Sequence, residues 1–218
     1  MRTAYRILYQ GGTGEITEKK SRFIASFRPV KTEEEALAFI EETKKKYWDA
    51  RHNCYAFIIG QGGEQKRCSD DGEPSQTAGK PMLDVLEGEE LVNVCVVVTR
   101  YFGGVLLGTG GLVRAYSGAV KEGLKNCQIL TIEPAVSLKV STDYNSVGKM
   151  QYLLGQQEIS TLSSEYTDHV ELTVLVPDER LGALKAALTE ATGGKAQMEE
   201  LTEVYYSLCN KEVLLFED

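Results

Sequence analysis

Residues 91–99, Leu-Val-Asn-Val-Cys-Val-Val-Val-Thr, are almost all β-branched or apolar. A run this short and this apolar, without polar alternation, describes a strand covered on both faces. The rest of the chain must therefore supply cover on each side of it. The next segment constrains the fold as strongly. Arg100 to Gly111 holds five glycines (Gly103, Gly104, Gly108, Gly110 and Gly111) and leads directly into a helical pattern from about Gly110 to Lys125. Leu112, Ala115, Tyr116, Ala119, Gly123 and Leu124 form the buried stripe of that helix.

Upstream, Gln10 to Gly14 reads as a glycine-rich turn and Lys19 to Phe27 as a strand. Thr32 and Glu35 form a capping box ahead of a helix carrying Ala36, Phe39, Ile40 and Tyr47. Asn53 to Ile59 is a second strand, and Gly60 to Gly79 lacks periodicity and reads as one long loop. Pro81 opens a short helix over Met82, Val85 and Leu86 that Gly88 ends. Pro134 marks an expected division into domains 1–134 and 135–218, ordinary sizes for a chain of 218 residues. Beyond it come a strand (136–140), a helix (147–154, stopped by Gly155), strands at 159–166 and 170–176, a helix capped by Asp178, and a strand at 200–208. The order βαββαβ is the ferredoxin-like plan, so the predicted class is α+β.

Charge divides at the same place. Residues 1–134 balance 18 Lys+Arg against 18 Asp+Glu, whereas residues 135–218 hold 6 against 14 and carry the whole net charge of −8. The C-terminal part repels phosphate at long range, so for a nucleic-acid partner the first part is the better candidate. The five cysteines (Cys54, Cys68, Cys95, Cys127 and Cys209) are scattered without a C-x-x-C spacing, which argues against a disulfide framework or a zinc site. No apolar run approaches the roughly 20 residues that cross a bilayer. Met1 to Gln10 lacks the features of a signal peptide, so the expected location is the cytoplasm, without membrane contact.

Four constellations could carry chemistry. In the first, the apolar strand feeds the glycine loop and a helix N-terminus, whose free N–H groups and partial positive charge favour an anion. Thr109 is the expected N-cap, with Arg100 and Arg114 at the ends of the loop. Neither the P-loop nor the dinucleotide fingerprint fits, and a tight strand-to-helix turn accounts for the same glycines. In the second, Asp70, Asp71 and Glu73 lie between Arg67 and Lys80 among several hydroxyls. An acidic turn satisfying local backbone amides accounts for them, and no metal is expected. The third, His52-Asn53-Cys54, heads a strand that places His52 and Cys54 on one face. The fourth, Lys19-Lys20-Ser21-Arg22-Phe23, could contact phosphates or form a solvated strand edge.

Together these motifs resemble the IMPACT family in its bacterial YigZ-type form, which carries an appended C-terminal domain. The resemblance rests on Lys20 to Phe23, His52 to Cys54, Ser69 to Pro74, Thr77 to Pro81, Thr99 to Gly104 and Gly108 to Tyr116. One departure is Gln76, where a small residue, commonly Gly, is expected. The resemblance implies an N-terminal fold like the second domain of the fifth small-subunit ribosomal protein and a C-terminal domain like the last domain of elongation factor G. The family's eukaryotic relatives act in translational control, its bacterial members have no settled biochemical activity, and the two implied folds suggest a translation-linked or RNA-binding role. The expected function is thus a translation-associated binding protein that contacts RNA, the ribosome or a translation factor, with no cofactor. Its expected surface combines Lys20, Arg22, Arg67, Lys80, Arg100, Gly103, Gly104, Gly108, Thr109, Gly110, Gly111 and Arg114, beside a candidate polar site of His52, Asp70, Asp71 and Glu73. The alternative is an enzyme acting on a small phosphorylated or nucleotide-like ligand. In that case the glycine loop holds the anion, and His52 with the carboxylates handles protons or a metal.

Overall fold

The computed structural model describes residues 2–209 and 212–216. Residues 5–131 form one compact unit, and residues 2–4 with 132–216 form a second. The chain runs β1 (Tyr5–Gln10), β2 (Thr13–Glu18), β3 (Ser21–Pro29), α1 (Glu33–Lys46), β4 (His52–Ile59), β5 (Gln65–Ser69), α2 (Gly79–Gly88), β6 (Leu91–Val92), β7 (Val94–Tyr101) and α3 (Thr109–Leu124). Next comes β8 (Gln128–Thr142), which contains the division between the units. After it come α4 (Val147–Gln156), β9 (Ser160–Tyr166), β10 (Val170–Pro177), a 3₁₀ turn (Asp178–Arg180), α5 (Leu181–Ala191), β11 (Gln197–Cys209) and β12 (Glu212–Phe216).

In the N-terminal unit β7 is the centre of an antiparallel sheet of order β2-β3-β7-β4-β5. Val94, Val96 and Val98, with Phe23, Ala25, Cys54 and Ala56, face a core closed by α2 and α3. Cys95 and Val97, with Phe57 and Ile59, face Ala36, Phe39 and Ile40 of α1. Helices on both faces explain why the run shows no alternation: every residue from Val94 to Val98 is buried. Burying each such valine contributes about 1.5–3 kcal/mol. β1 pairs in parallel with the short β6. Half of the Thr32–Glu35 capping box forms, with the Thr32 hydroxyl accepting from the Glu35 amide; the Glu35 carboxylate instead accepts from the Lys31 amide.

Several local expectations are corrected. β2 begins at Thr13 and β3 at Ser21, so Lys19 and Lys20 form the turn between them, with φ of +44° and +68°. Two-residue hairpin turns of that geometry favour Asn-Gly, so a Lys-Lys pair gives no turn signal. The expected loop at 60–79 contains β5, an edge strand nearly all polar and thus without a hydrophobic period. Gly108, not Thr109, is the N-cap of α3; Thr109 is its first residue and no side chain caps it. Pro134 lies within β8, opposite Tyr205.

In the C-terminal unit the antiparallel order is β9-β10-β8-β11-β12. Met150 and Leu154 of α4 and Leu184 and Leu188 of α5 bury against Leu138, Val140, Val170, Leu172 and Val174. β12 adds a strand beyond the βαββαβ order. Asp178 does not cap α5; it opens the 3₁₀ turn and receives the Arg2 guanidinium at 2.7 Å. No helix of the described residues is long and apolar enough to cross a membrane.

Candidate functional site

Arg100 follows the apolar run of β7 and sits opposite Phe23 on β3 and His52 on β4. That register turns its side chain toward the α2 and α3 side, where its guanidinium is only 7% exposed. Nη1 donates to Glu73 Oε1 at 2.6 Å, Nη2 lies 3.5 Å from Ser21 Oγ, and the rings of Phe23 and Phe102 lie 5.4 and 5.6 Å away. The Glu73 side chain is 3% exposed and also accepts from the Tyr116 hydroxyl of α3 at 2.8 Å. The Cys54 thiol lies 3.3 Å from that hydroxyl and 3.0 Å from the Asp70 carbonyl. Burial pushes the Tyr116 hydroxyl far up, helped by Cys54 and Glu73, so it stays the protonated donor that Glu73 needs. Burial likewise raises the Cys54 thiol far above neutrality, which removes it as a nucleophile or redox centre.

This buried network fastens the glycine loop. Ser21 Oγ accepts from the Gly103 amide at 3.1 Å. A Cβ on Gly103 would fall 2.0 Å from the Lys20 carbonyl carbon, so only glycine lets the loop lie against the β2–β3 turn. Gly104 and Gly108 adopt φ of +84° and +74° in open space. The loop presents Phe102, Val105 and Leu106, which are 50%, 42% and 81% exposed. The first amide bonded within α3 is that of Leu112, to the Gly108 carbonyl. The amides of Thr109, Gly110 and Gly111 therefore lack helical acceptors, and no acidic residue occupies that turn. Arg114, one turn further on, is exposed and forms no ion pair among the described residues.

The carboxylates of the acidic loop are committed internally. Asp70 Oδ1 accepts from the amides of Ala78 and Gly79 at 3.0 and 2.8 Å, and Oδ2 from Gln76 at 2.8 Å. It thereby caps α2 from a distance. Asp71 Oδ2 accepts from the Asn53 amide at 2.7 Å, and its carbonyl accepts from His52 Nδ1 at 2.9 Å. A carbonyl only accepts, so Nδ1 carries the proton. Thr99 and Asn53 complete the frame with a buried bond of 2.7 Å. Gln76 has a φ of +62°, the conformation that explains why glycine is expected there. Among the described residues, no group of three or more His, Cys, Asp or Glu is placed to hold a metal.

The expected cationic surface is thus only partly brought together. Arg100 is a buried strut, not an exposed contact, because the pairing of β7 turns it inward. Arg67, on the opposite sheet edge, pairs with Glu33 at 2.7 Å, and Lys80 with Asp84 at 2.6 Å. Arg22 forms two bonds to Glu15, of 2.6 and 2.8 Å. Lys20, Arg114 and the glycine loop remain available. Ser21 and Tyr116 were missed as site residues. Their only signal is membership of the motifs, since each reads locally as an ordinary strand or helix position.

The fold and site define a two-unit α+β protein in which one buried Arg–Glu–Tyr network clamps an exposed glycine loop. Residues 19–124 match the Impact N-terminal domain, and residues 140–195 match a domain of unknown function, DUF1949. The IMPACT family member YvyE of Bacillus subtilis is 40% identical over 197 residues, covering 90% of this chain and 91% of that one. YigZ of Escherichia coli is 37% identical, covering 85% and 92%. The human Protein IMPACT is 37% identical over 98 residues, covering 43% of this chain and 30% of its own. A solved structure titled as the crystal structure of an hypothetical protein has a TM-score of 0.57 and 34% identity, covering 93% of this chain and 99% of that one. The chain belongs to the IMPACT family.

Proposed function

We propose that this is a cytoplasmic, translation-associated binding protein that contacts RNA, the ribosome or a translation factor through the glycine loop. The observation that carries the reading is the open N-terminus of α3. Three amides without helical acceptors open α3 directly after an exposed loop, which lies against the Lys20 turn and is held by a buried network, with Arg114 one turn further on. Such a terminus attracts phosphate or carboxylate. Kinship with proteins named IMPACT supports the link to translation. We read the C-terminal unit as ferredoxin-like, supported by the strand order β11-β8-β10-β9, and the N-terminal unit as similar to the ribosomal-protein domain named above. An enzyme has less support, because backbone amides, Arg100 and Tyr116 already occupy the carboxylates it would use.

The test is co-sedimentation of the full chain with purified ribosomes at several salt concentrations, using wild type and a Lys20→Ala/Arg114→Ala variant. Binding that weakens steeply with salt, and a salt slope reduced by about two in the variant, are expected. Binding without salt dependence, or none at all, overturns the reading.

A further inference from the structure

The chain has one tryptophan, Trp48, and it is 82% exposed. Large aromatic rings are ordinarily among the best-buried groups, and tryptophan left in water marks contact surfaces. Its setting is fixed. The Tyr47 amide donates to the Thr43 carbonyl at 3.0 Å, which ends α1. The Ala50 amide donates to the Tyr47 carbonyl at 3.0 Å, so Trp48 and Asp49 are the central residues of a closed turn. Asp49 Oδ1 accepts from the Tyr101 hydroxyl at 2.8 Å, tying that turn to the end of β7. The indole is therefore held out from the surface by the backbone beneath it.

Around it the sequence is Lys44-Lys45-Lys46-Tyr47-Trp48-Asp49-Ala50-Arg51. Lysines in the last turn of a helix are explained by the helix dipole alone. The dipole does not explain aromatics set among the cations. Lys46 Nζ lies 5.1 Å from the Tyr47 ring, and Arg22 lies 6.0 Å from the Tyr101 ring. The neighbouring carboxylates are mostly occupied: Glu42 by Arg28, Glu15 by Arg22, Asp49 by Tyr101, and Asp71 by the Asn53 amide and Lys44. Lys45, Lys46 and Arg51 form no ion pair with the described residues, and residues 44–51 hold four cations against the one carboxylate of Asp49, which leaves net positive charge around the ring.

We infer that the turn after α1 is a stacking platform for single-stranded nucleic acid. Trp48 takes a base on its face, with Tyr47 beside it, while Lys45, Lys46 and Arg51 meet phosphates. Stacking on exposed rings between cations suits unpaired bases, every one of which has a π-face. An acidic protein segment would need the cations but not the bare ring. The platform is distinct from the glycine loop. Arg22 and Tyr101 alternate with Phe23 and Arg100 and so face the α1 side of the sheet, whereas α3 packs on the other side.

Because Trp48 is the sole tryptophan, its emission reports on the platform directly. The full chain is titrated with a uridine dodecamer RNA at low and moderate salt, following tryptophan emission and, separately, the anisotropy of labelled RNA. Expected are quenching of emission, affinity that falls with salt, and a loss of about tenfold or more in Trp48→Leu, read by anisotropy. Trp48→Phe should retain part of that loss, and Lys45→Ala/Lys46→Ala should flatten the salt dependence. Unchanged emission at saturating RNA, or unchanged affinity in Trp48→Leu, overturns the inference. So does equal quenching by polyglutamate, which would assign the surface to an acidic protein. If Lys20→Ala/Arg114→Ala abolishes RNA binding while Trp48→Leu does not, the platform falls and the glycine loop reading stands. The converse removes the loop and keeps the platform. Trp48 is exposed, so its variants leave the core intact.

Discussion

Replacing Arg100 with Met removes the cationic half of a pair sealed beneath α2 and α3. The Glu73 carboxylate, 3% exposed, would keep only the Tyr116 hydroxyl as a donor. Breaking a buried pair from one side costs about 3–5 kcal/mol, because the remaining charge has lost its water and then its partner. That is a large share of the roughly 5–15 kcal/mol that holds a domain together. The companion Arg100→Met/Glu73→Leu removes both charges and should recover most of the loss. It should fall short of wild type by about 1–2 kcal/mol, since Tyr116 then lacks its acceptor. Urea unfolding followed by far-UV circular dichroism measures both variants, with the transitions of the two units fitted separately. Tryptophan emission is a poor probe of this unfolding, because Trp48 is already in water. A cost below about 1 kcal/mol for Arg100→Met would refute the buried pair, as would a double variant as unstable as the sum of its singles.

Other perturbations test the rest of the frame. Asp70→Ala strips the amides of Gln76, Ala78 and Gly79 of their acceptor and should cost about 2–3 kcal/mol by denaturant titration; a cost near zero would mean that Asp70 does not cap α2. Gln76→Gly relieves a left-handed backbone at φ +62° and should stabilise by about 0.5–1 kcal/mol after the entropy of glycine is set against it, so clear destabilisation counts against that geometry. The His169 imidazole is held above its ordinary value of 6.5 first by Glu171 at 3.0 Å and then by Asp168 at 2.7 Å. With the folded value raised, its contribution to stability is full below about pH 6.5 and is lost as pH rises through the folded value. An NMR titration should place its midpoint above 6.5 and lower it in Glu171→Gln; a wild-type midpoint at or below 6.5 contradicts the pairing.

The sequence by itself determined the parts that local chemistry decides. The apolar stretch at 91–99 required cover on two faces, and α1 on one side with α2 and α3 on the other provide it for Val94 to Val98, while Asn93 breaks the stretch and Leu91–Val92 pair with β1 as a separate short strand. Helical spacing located α1 to α5, and the motifs from Lys20 to Tyr116 carried the family. Periodicity reports which side of an element is buried, but not what it meets there. Only the tertiary structure decided that Arg100 is a strut and not a contact, because its partner lies 27 residues away and Tyr116 another 43 beyond Glu73. It also decided that Asp70 caps a helix starting nine residues later, and that two lysines serve as a hairpin turn. In each case the deciding interaction joins segments that touch only after the sheet has closed. The same charged side chain would read as an exposed contact in the unfolded chain and becomes a buried bond once the strand register is set.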